Sequence, residues 1–326
     1  MRVRDVVTPQ SVENAFRLLL AIAGSTNAVI HLTAIAGRVG IRFPLSRLNE
    51  LSATTPVLVN LKPAGAHYME DLYSAGGVGA VLRELASANL LNLDCQDVTG
   101  TSLKERLNQP DHYVNREIVR TVADPFERQG GLVALFGSLS PTGAVLKRAA
   151  ASEDLLEHEG RAVVFDGLED LDRRIDDPNL DVTRDDILVL KNVGPVAIGM
   201  PEAGFLPIPL KLARAGVKDM VRISDCRMSG TAYGTVVLHV TPEAYVGGPL
   251  CFVQSGDRIR LSVKAKSLDL LVDKAELSRR RALYRPPVLP QRGWAGLYPR
   301  AVQQADLGAD FDFLTQAGGF KLRSES

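Results

Sequence analysis

The chain has 326 residues, with 38 basic and 38 acidic side chains and a formal net charge of zero. Balanced charge argues against a nucleic-acid or anionic-membrane partner, because both need a basic surface. A composition of 45% hydrophobic and 23% charged residues is that of a folded chain long enough to bury a sizeable core, with two domains expected. No apolar run reaches the length of a bilayer span. The start, Met1-Arg-Val-Arg-Asp5, lacks the basic-then-apolar layout of a signal peptide. Three scattered cysteines, Cys95, Cys226 and Cys251, fit a reducing cytoplasm with no disulfide framework, and their spacing is not that of a zinc or iron–sulfur site.

Thr8-Pro9 opens a helix with Phe16, Leu19, Leu20 and Ala23 on one side, Pro standing in its first turn. Gly24-Ser-Thr-Asn27 interrupts it before a second apolar helix over 28–36. The interruption is either a helix N-terminus offering amides to an anion or a cap between two packed helices. His31 falls on the apolar face and is expected as a packed core histidine. A short helix over 45–51, a strand over 57–61 and helices over 67–72 and 78–88 follow. Residues 89–115 are mixed and polar and mark a boundary.

After that boundary the texture changes to short strands over 132–136, 162–165, 187–190, 217–223, 235–240, 250–253 and 258–263, with Gly, Pro and Asp between them. Helices are expected at 168–175 and 206–215. The resulting organisation is a partial α/β domain over 1–115, a compact β-rich barrel or sandwich with covering helices over 116–282, and a wrapping tail over 283–326. Residues 235–240 are apolar except for His239, so His239 is expected to be buried and satisfied within a strand.

The stretch 191–234 holds two polar loops. Gly199-Met-Pro-Glu202-Ala-Gly204 follows the run at 187–190, and Ser224-Asp-Cys-Arg-Met-Ser229-Gly-Thr-Ala-Tyr-Gly234 follows the run at 220–223. A carboxylate, Glu202, and a hydroxyl, Ser229, thus each leave a strand into a Gly-bracketed turn, a common way to build a site. Each residue alone reads as a turn or cap residue; together they suggest a site without naming a reaction.

Several stretches carry a resemblance: GSTNAVIHLTAIAG (24–37), LKPAGAHYMEDLYSAGGVGAVLREL (61–85), GSLSPTGAVLK (137–147), the paired loops, and GGPLCFVQSGDRI (247–259). In family order, they resemble the C-terminal part of the dihydroxy-acid and sugar-acid dehydratases, with RISDCRMSGTAYG and QQADLGADFDFL most similar to the arabinonate/xylonate branch. The resemblance implies an incomplete three-layer α/β N-terminal domain followed by a β-rich swivelling barrel. It implies removal of water from a 2,3-dihydroxy or sugar acid to give a 2-keto-3-deoxy acid. An iron–sulfur cluster would act as Lewis acid on the leaving 3-hydroxyl and magnesium would hold the carboxylate and 2-hydroxyl. By motif match Glu202 corresponds to a magnesium ligand and Ser229 to the serine that takes the C2 proton.

The chain departs from the pattern as well. The family's N-terminal region carries the cluster cysteines and the remaining magnesium ligands, and none of the three cysteines here falls at a cluster position. Cys226 stands where relatives have Ala or Gly, and Ala23 where a second glycine is usual. The expectation is that the 326-residue chain alone shows no turnover. It would work as a homo-oligomer or with a separate N-terminal half, or be a non-catalytic homologue that binds a sugar acid or a full-length partner. Helices over 8–37 and 61–88 are expected to expose apolar surface.

Overall fold

A computed structural model describes residues 1–108, 113–200, 206–228 and 233–315. The first part is helical: α1 (Val3–Val6), α2 (Pro9–Ala21), α3 (Asn27–Arg38), α4 (Leu45–Thr54), α5 (Met69–Ser74), α6 (Gly77–Ser87) and α7 (Leu103–Leu107). Thr8 caps α2 by accepting from the Ser11 amide, with Pro9 in the first turn, where its missing N–H is not needed. The Gly24–Asn27 interruption is a turn between packed helices, in which Ser25 Oγ accepts from the Asn27 amide. The strand expected over 57–61 is reduced to isolated bridges, Val57 to Glu127, Val59 to Val119 and Leu61 to His67. Its partners are loop residues, so no ladder can propagate.

The second part is one eight-stranded sheet in the order β1-β2-β6-β5-β4-β3-β7-β8. The strands are β1 (Val133–Leu135), β2 (Gly143–Leu146), β3 (Glu157–Asp166), β4 (Ile187–Lys191), β5 (Arg222–Ser224), β6 (Val236–Thr241), β7 (Arg258–Ser262) and β8 (Ser267–Leu270). The central β3-β4-β5-β6 run is parallel, and the flanking pairs are antiparallel. A bridge from Phe136 to Ser267 brings the two edges together, with Leu268 donating to the Phe136 carbonyl at 2.8 Å. The result is a nearly closed barrel in a mixed α/β fold, and near closure removes the exposed edges of an open sheet.

Alternation along the strands sorts the side chains. Leu135, Leu146, Val164, Val189, Ile223, Val237 and Leu261 fill the barrel interior. Phe165, Leu188, Leu190, Val236 and Leu238 face outward under α8 (Gly167–Arg174) and the segment carrying α10 (Leu210–Arg214). The N-terminal helices cover another outer face, where Phe16, Leu20 and Leu48 pack on Leu132, Ala134 and Val145. The strand expected over 250–253 is replaced by a 3-10 turn, Pro249–Phe252, because Gly247, Gly248 and Pro249 break the extended run just before it. A short helix, α9 (Pro195–Ile198), follows β4, and α11 (Lys274–Leu283) and α12 (Gly293–Ala301) lead into the tail. The tail folds back on the body through Ala305, which packs with Ile30 of α3 and Met200. No helix among the described residues is long and apolar enough to cross a membrane.

Candidate active site

Both sequence-predicted site residues, Glu202 and Ser229, lie outside the described residues, and so do 201–205 and 229–232 as a whole. The flanks of these two segments are described, and two arginines join them. Arg227 Nε donates to the Met200 carbonyl at 2.8 Å, linking the residue before 201–205 to the loop that leads into 229–232. At the other end, Arg222 donates through one terminal nitrogen to the Leu206 carbonyl at 3.3 Å and through the other to the Tyr233 carbonyl at 2.7 Å. The described flanks of the two segments are therefore joined on both sides. The reason is topological. β4, β5 and β6 are parallel neighbours, so each connection must cross from one end of the sheet to the other. The two crossings run beside each other over the face that carries Cys226 and Met228.

Arg222 is anchored as well as anchoring. Asp219 accepts from it at 3.1 Å, with both side chains less than a tenth exposed. Asp219 also accepts from the Met220, Thr235 and Ser152 amides and from Thr235 Oγ. Gly234 fits between them in a left-handed turn (φ +99°), where a Cβ would lie 2.2 Å from the Arg222 guanidinium. The signal in the sequence was Asp219 and Arg222 three apart at the start of a strand, which is too common a spacing to single out.

At the C-terminal ends of the parallel strands the polar groups are arranged differently. Asp225, fully buried, follows β5 and accepts from the Asn192, Val193 and Ala244 amides at 3.3, 3.1 and 2.9 Å. It thereby staples the ends of β4, β5 and β6. Glu243, 1% exposed, accepts from the Val196 amide at the start of α9 at 2.8 Å and from the Gln304 side chain at 3.4 Å. Burial pushes the Asp225 carboxyl up to about 6. Burial, and then the charge of Asp225, push Glu243 up to about 7. Gly194 is required beside Glu243, because a Cβ there would lie 1.8 Å from its Oε2.

His239 is buried, as the sequence implied, but not satisfied. It is 3% exposed and its Nε2 has no hydrogen-bond partner. His31, expected in the core, is on an exposed position of α3 instead; the apolar stripe of that helix turns Val29, Ile30 and Ala36 inward.

The metal centres implied by the family resemblance can be tested against the donor set. Cys226 lies in the outer apolar layer, its thiol pushed up to about 12 by burial. Cys251 packs against the barrel core, and Cys95 lies beside Asn14 of α2. The three thiols are in separate parts of the molecule. Among the described residues no group of three or more His, Cys, Asp or Glu is placed to hold a metal ion. These residues do not form a cluster site, nor a magnesium site by themselves. A cavity of about 600 Å³ lies between α3–α4 and the barrel and is lined by Ile41, Phe43, Leu45 and Phe136 among others. It is mainly apolar and contains none of the residues of the two clamps.

Comparison with known proteins places this geometry in context. Residues 1–106 match the model of the dihydroxy-acid/6-phosphogluconate dehydratase N-terminal domain, and 117–309 match that of the C-terminal domain. An L-arabinonate dehydratase of Rhizobium leguminosarum bv. trifolii is 46% identical over 324 residues, covering 99% of this chain and 56% of the relative. A 6-deoxy-6-sulfo-D-gluconate dehydratase of Pseudomonas putida is 48% identical over 317 residues, 96% of this chain and 54% of the relative. A dihydroxy-acid dehydratase of Carboxydothermus hydrogenoformans is 40% identical over 314 residues, 95% of this chain and 56% of the relative. The chain spans a little over half the length of these curated relatives.

Proposed function

The chain belongs to the dihydroxy-acid/6-phosphogluconate dehydratase family, and from that premise we propose that it takes part in hydro-lyase chemistry on a sugar acid or other 2,3-dihydroxy acid. Ser229 is the proposed base. Its oxygen takes the C2 proton, the freed electron pair forms the C2–C3 double bond, and the 3-hydroxyl leaves as water after gaining a proton. The enol then tautomerises to the 2-keto-3-deoxy acid. Glu202 is the proposed magnesium ligand, since a hard divalent cation prefers carboxylate oxygen. The family's metals, when bound, supply Lewis acidity to such a reaction. The donor set of the described residues does not hold them, so the contribution proposed for this chain is the serine, the carboxylate and their support.

One observation carries the reading: the flanks of 201–205 and 229–232 are joined on both sides, by Arg227 to Met200 and by Arg222 to Leu206 and Tyr233. The joined flanks support the reading that the two segments serve one site. A serine hydroxyl is a weak base unless fixed positive charge or oriented amides stabilise its anion, and Arg227 stands two positions before Ser229. The remaining metal ligands for turnover would come from the family's N-terminal region, supplied by the same polypeptide or by a partner. The face carrying Tyr68, Met69, Tyr73 and Val78, between 44% and 84% exposed, suits such a contact.

The test is to purify the chain alone and together with a polypeptide bearing the family's cluster cysteines, load iron, sulfide and magnesium, and assay keto-acid formation from L-arabinonate. Turnover is expected only in the mixture and is expected to fall at least 1,000-fold in Ser229→Ala. A loaded mixture that binds the acid but never turns it over would favour a non-catalytic homologue. Full activity in Ser229→Ala would remove the serine from the mechanism.

A further inference from the structure

We propose that the cavity between α3–α4 and the barrel binds a free α-amino acid with a large apolar side chain, whose charged end is held by Arg42 and Asp306. The proposal does not depend on the sugar-acid reading above.

Shape supplies the first argument. The cavity, about 600 Å³, has the size of a small-molecule site, about 300–1,000 Å³. Phe43, Leu45 and Phe136 line its apolar part, and each is held from outside the cavity. Phe43 stacks on Phe16 with ring centroids 3.8 Å apart. Leu45 and Phe136 press on Gly143, where a Cβ would lie 2.5 and 3.2 Å from them. Gln303 and Asp306 of the tail line another part of the cavity, and the tail is pinned to α3. Arg38 donates twice to Asp310, at 2.6 and 2.7 Å. Gly308, in a left-handed turn (φ +93°), lies so close to α3 that a Cβ would be 2.6 Å from the Ala34 nitrogen. Walls fixed in this way need little ordering when a ligand enters.

Charge supplies the second. Arg42 and Asp306 line the same cavity, Arg42 exposed and Asp306 half-buried. Burial pushes the Asp306 carboxyl up, and the positive charge of Arg42 acts against that rise, so the two are within electrostatic reach. Neither belongs to an ion pair among the described residues. Gln303 adds a third polar group. Its Oε1 is buried without a partner, and such atoms are few in native proteins. The last torsion of a glutamine side chain is soft, so its amide can turn to meet a donor.

The class of ligand follows from the pair. A ligand that is only anionic would be repelled by Asp306, and one that is only cationic by Arg42. A zwitterion suits both: its carboxylate accepts from the Arg42 guanidinium, and its ammonium donates to Asp306 and Gln303. The rest of the ligand must be apolar to replace water against Phe43, Leu45 and Phe136.

The test titrates the full chain with L-leucine and with L-phenylalanine, reading the Kd by calorimetry and the position of binding from the 13C methyl shifts of Leu45. Isocaproate and isoamylamine each lack one charge of leucine, and glycine lacks the side chain. At least one of the two amino acids is expected to bind saturably with a Kd of about 1 mM or tighter, to move the Leu45 methyl resonances and to bind better than all three controls. Asp306→Asn and Arg42→Gln, with unfolding midpoints as the check on folding, are each expected to weaken binding roughly tenfold or more, the loss that follows when a charge-assisted hydrogen bond is removed. Asp306→Asn is also expected to lose the preference over isocaproate, and Arg42→Gln the preference over isoamylamine. Failure of both amino acids to bind below about 10 mM would overturn the proposal. So would binding that leaves the Leu45 methyls unmoved, or equal binding of the singly charged analogues by the parent chain.

Discussion

The two ends of the parallel strands treat buried charge in opposite ways. At the N-terminal end two buried carboxylates find cations. Asp219 accepts from Arg222, and Asp186, 5% exposed, accepts from Arg161 at 2.9 and 3.0 Å and from the Thr183 amide at 2.7 Å. Burial pushes Asp186 up, but the guanidinium and the Thr183 bonds more than offset it and hold the carboxyl below its ordinary value. At the C-terminal end Asp225 and Glu243 have only amide donors, and no ion pair among the described residues includes either. Both are pushed up, and His239 is left with an open nitrogen. One end spends its polar groups on satisfying each other; the other keeps polar groups in reserve. Ligands in parallel α/β sheets bind outside the carboxyl ends of the strands, and perturbed titratable groups cluster where chemistry is done. The comparison marks the carboxyl end as the one with polar groups left for a ligand, in line with the site proposed above.

The strongest way to break it is at the scaffold end. Asp219→Ala strands the buried Arg222 guanidinium and removes the acceptor of the Thr235 amide. Losing one partner of a buried pair costs about 3–5 kcal/mol, which is expected as a large drop in the urea midpoint. Because Arg222 also holds the Leu206 and Tyr233 carbonyls, ligand binding is expected to fall with stability. A variant as stable as the parent would show that the pairing is incidental.

A smaller effect is expected from Gly194→Ala. Gly194 has an extended backbone (φ −81°, ψ −173°) that any residue adopts, so only contact matters. The added methyl would meet Glu243 Oε2 at 1.8 Å and its Cβ at 2.7 Å. Overpacking of this kind costs about 1–3 kcal/mol and would push Glu243 away from the Val196 amide at the head of α9. Crystallography or amide exchange at Val196 would show the displacement, and an unshifted Val196 amide would argue against Glu243 as the holder of that turn.

Much of the scaffold was legible in the sequence, and little of the site. The runs at 132–136, 187–190 and 235–240 read as strands because they are apolar, rich in β-branched residues and flanked by turn formers, and β1, β4 and β6 fall within or nearly within them. β2 went unseen because Gly143-Ala-Val-Leu146 is too short for a period and starts with a glycine at φ +126°. β8, Ser267–Leu270, is also only four residues long and lies beside a lysine-rich turn. The helix expected over 206–215 shrinks to Leu210–Arg214, since Pro207 and Pro209 confine its start. At the site, Glu202 and Ser229 were picked from their loops and from family likeness. The groups that support their segments were not, because Arg222, Arg227, Asp225 and Glu243 act across the fold. Their spacing along the chain carries no signal of the contacts that parallel strand pairing creates. His239 was read as an ordinary strand residue because a one-residue bulge is invisible to a two-residue period.

The smallest expected effect sharpens the comparison through pH. A carboxyl raised by folding binds its proton more readily in the native state, so between its unfolded and folded values the native chain holds more protons and stability falls as pH rises. For Glu243 that window runs from about 4.5 to about 7, and for Asp225 from about 3.8 to about 6. Asp186, lowered instead, gives the opposite slope, losing stability only as pH drops below its ordinary value. Urea unfolding at pH 5, 6, 7 and 8 is therefore expected to show the site end weakening toward neutrality. Glu243→Gln, which is neutral throughout, is expected to flatten the slope and to exceed the parent at pH 8 by about 2–3 kcal/mol, an order of magnitude set by the width of that window. Taking the difference between parent and variant cancels the contributions of groups common to both. A difference that is constant with pH would mean that Glu243 keeps its charge in the folded chain, and that the contrast between the two ends is one of hydrogen bonding alone.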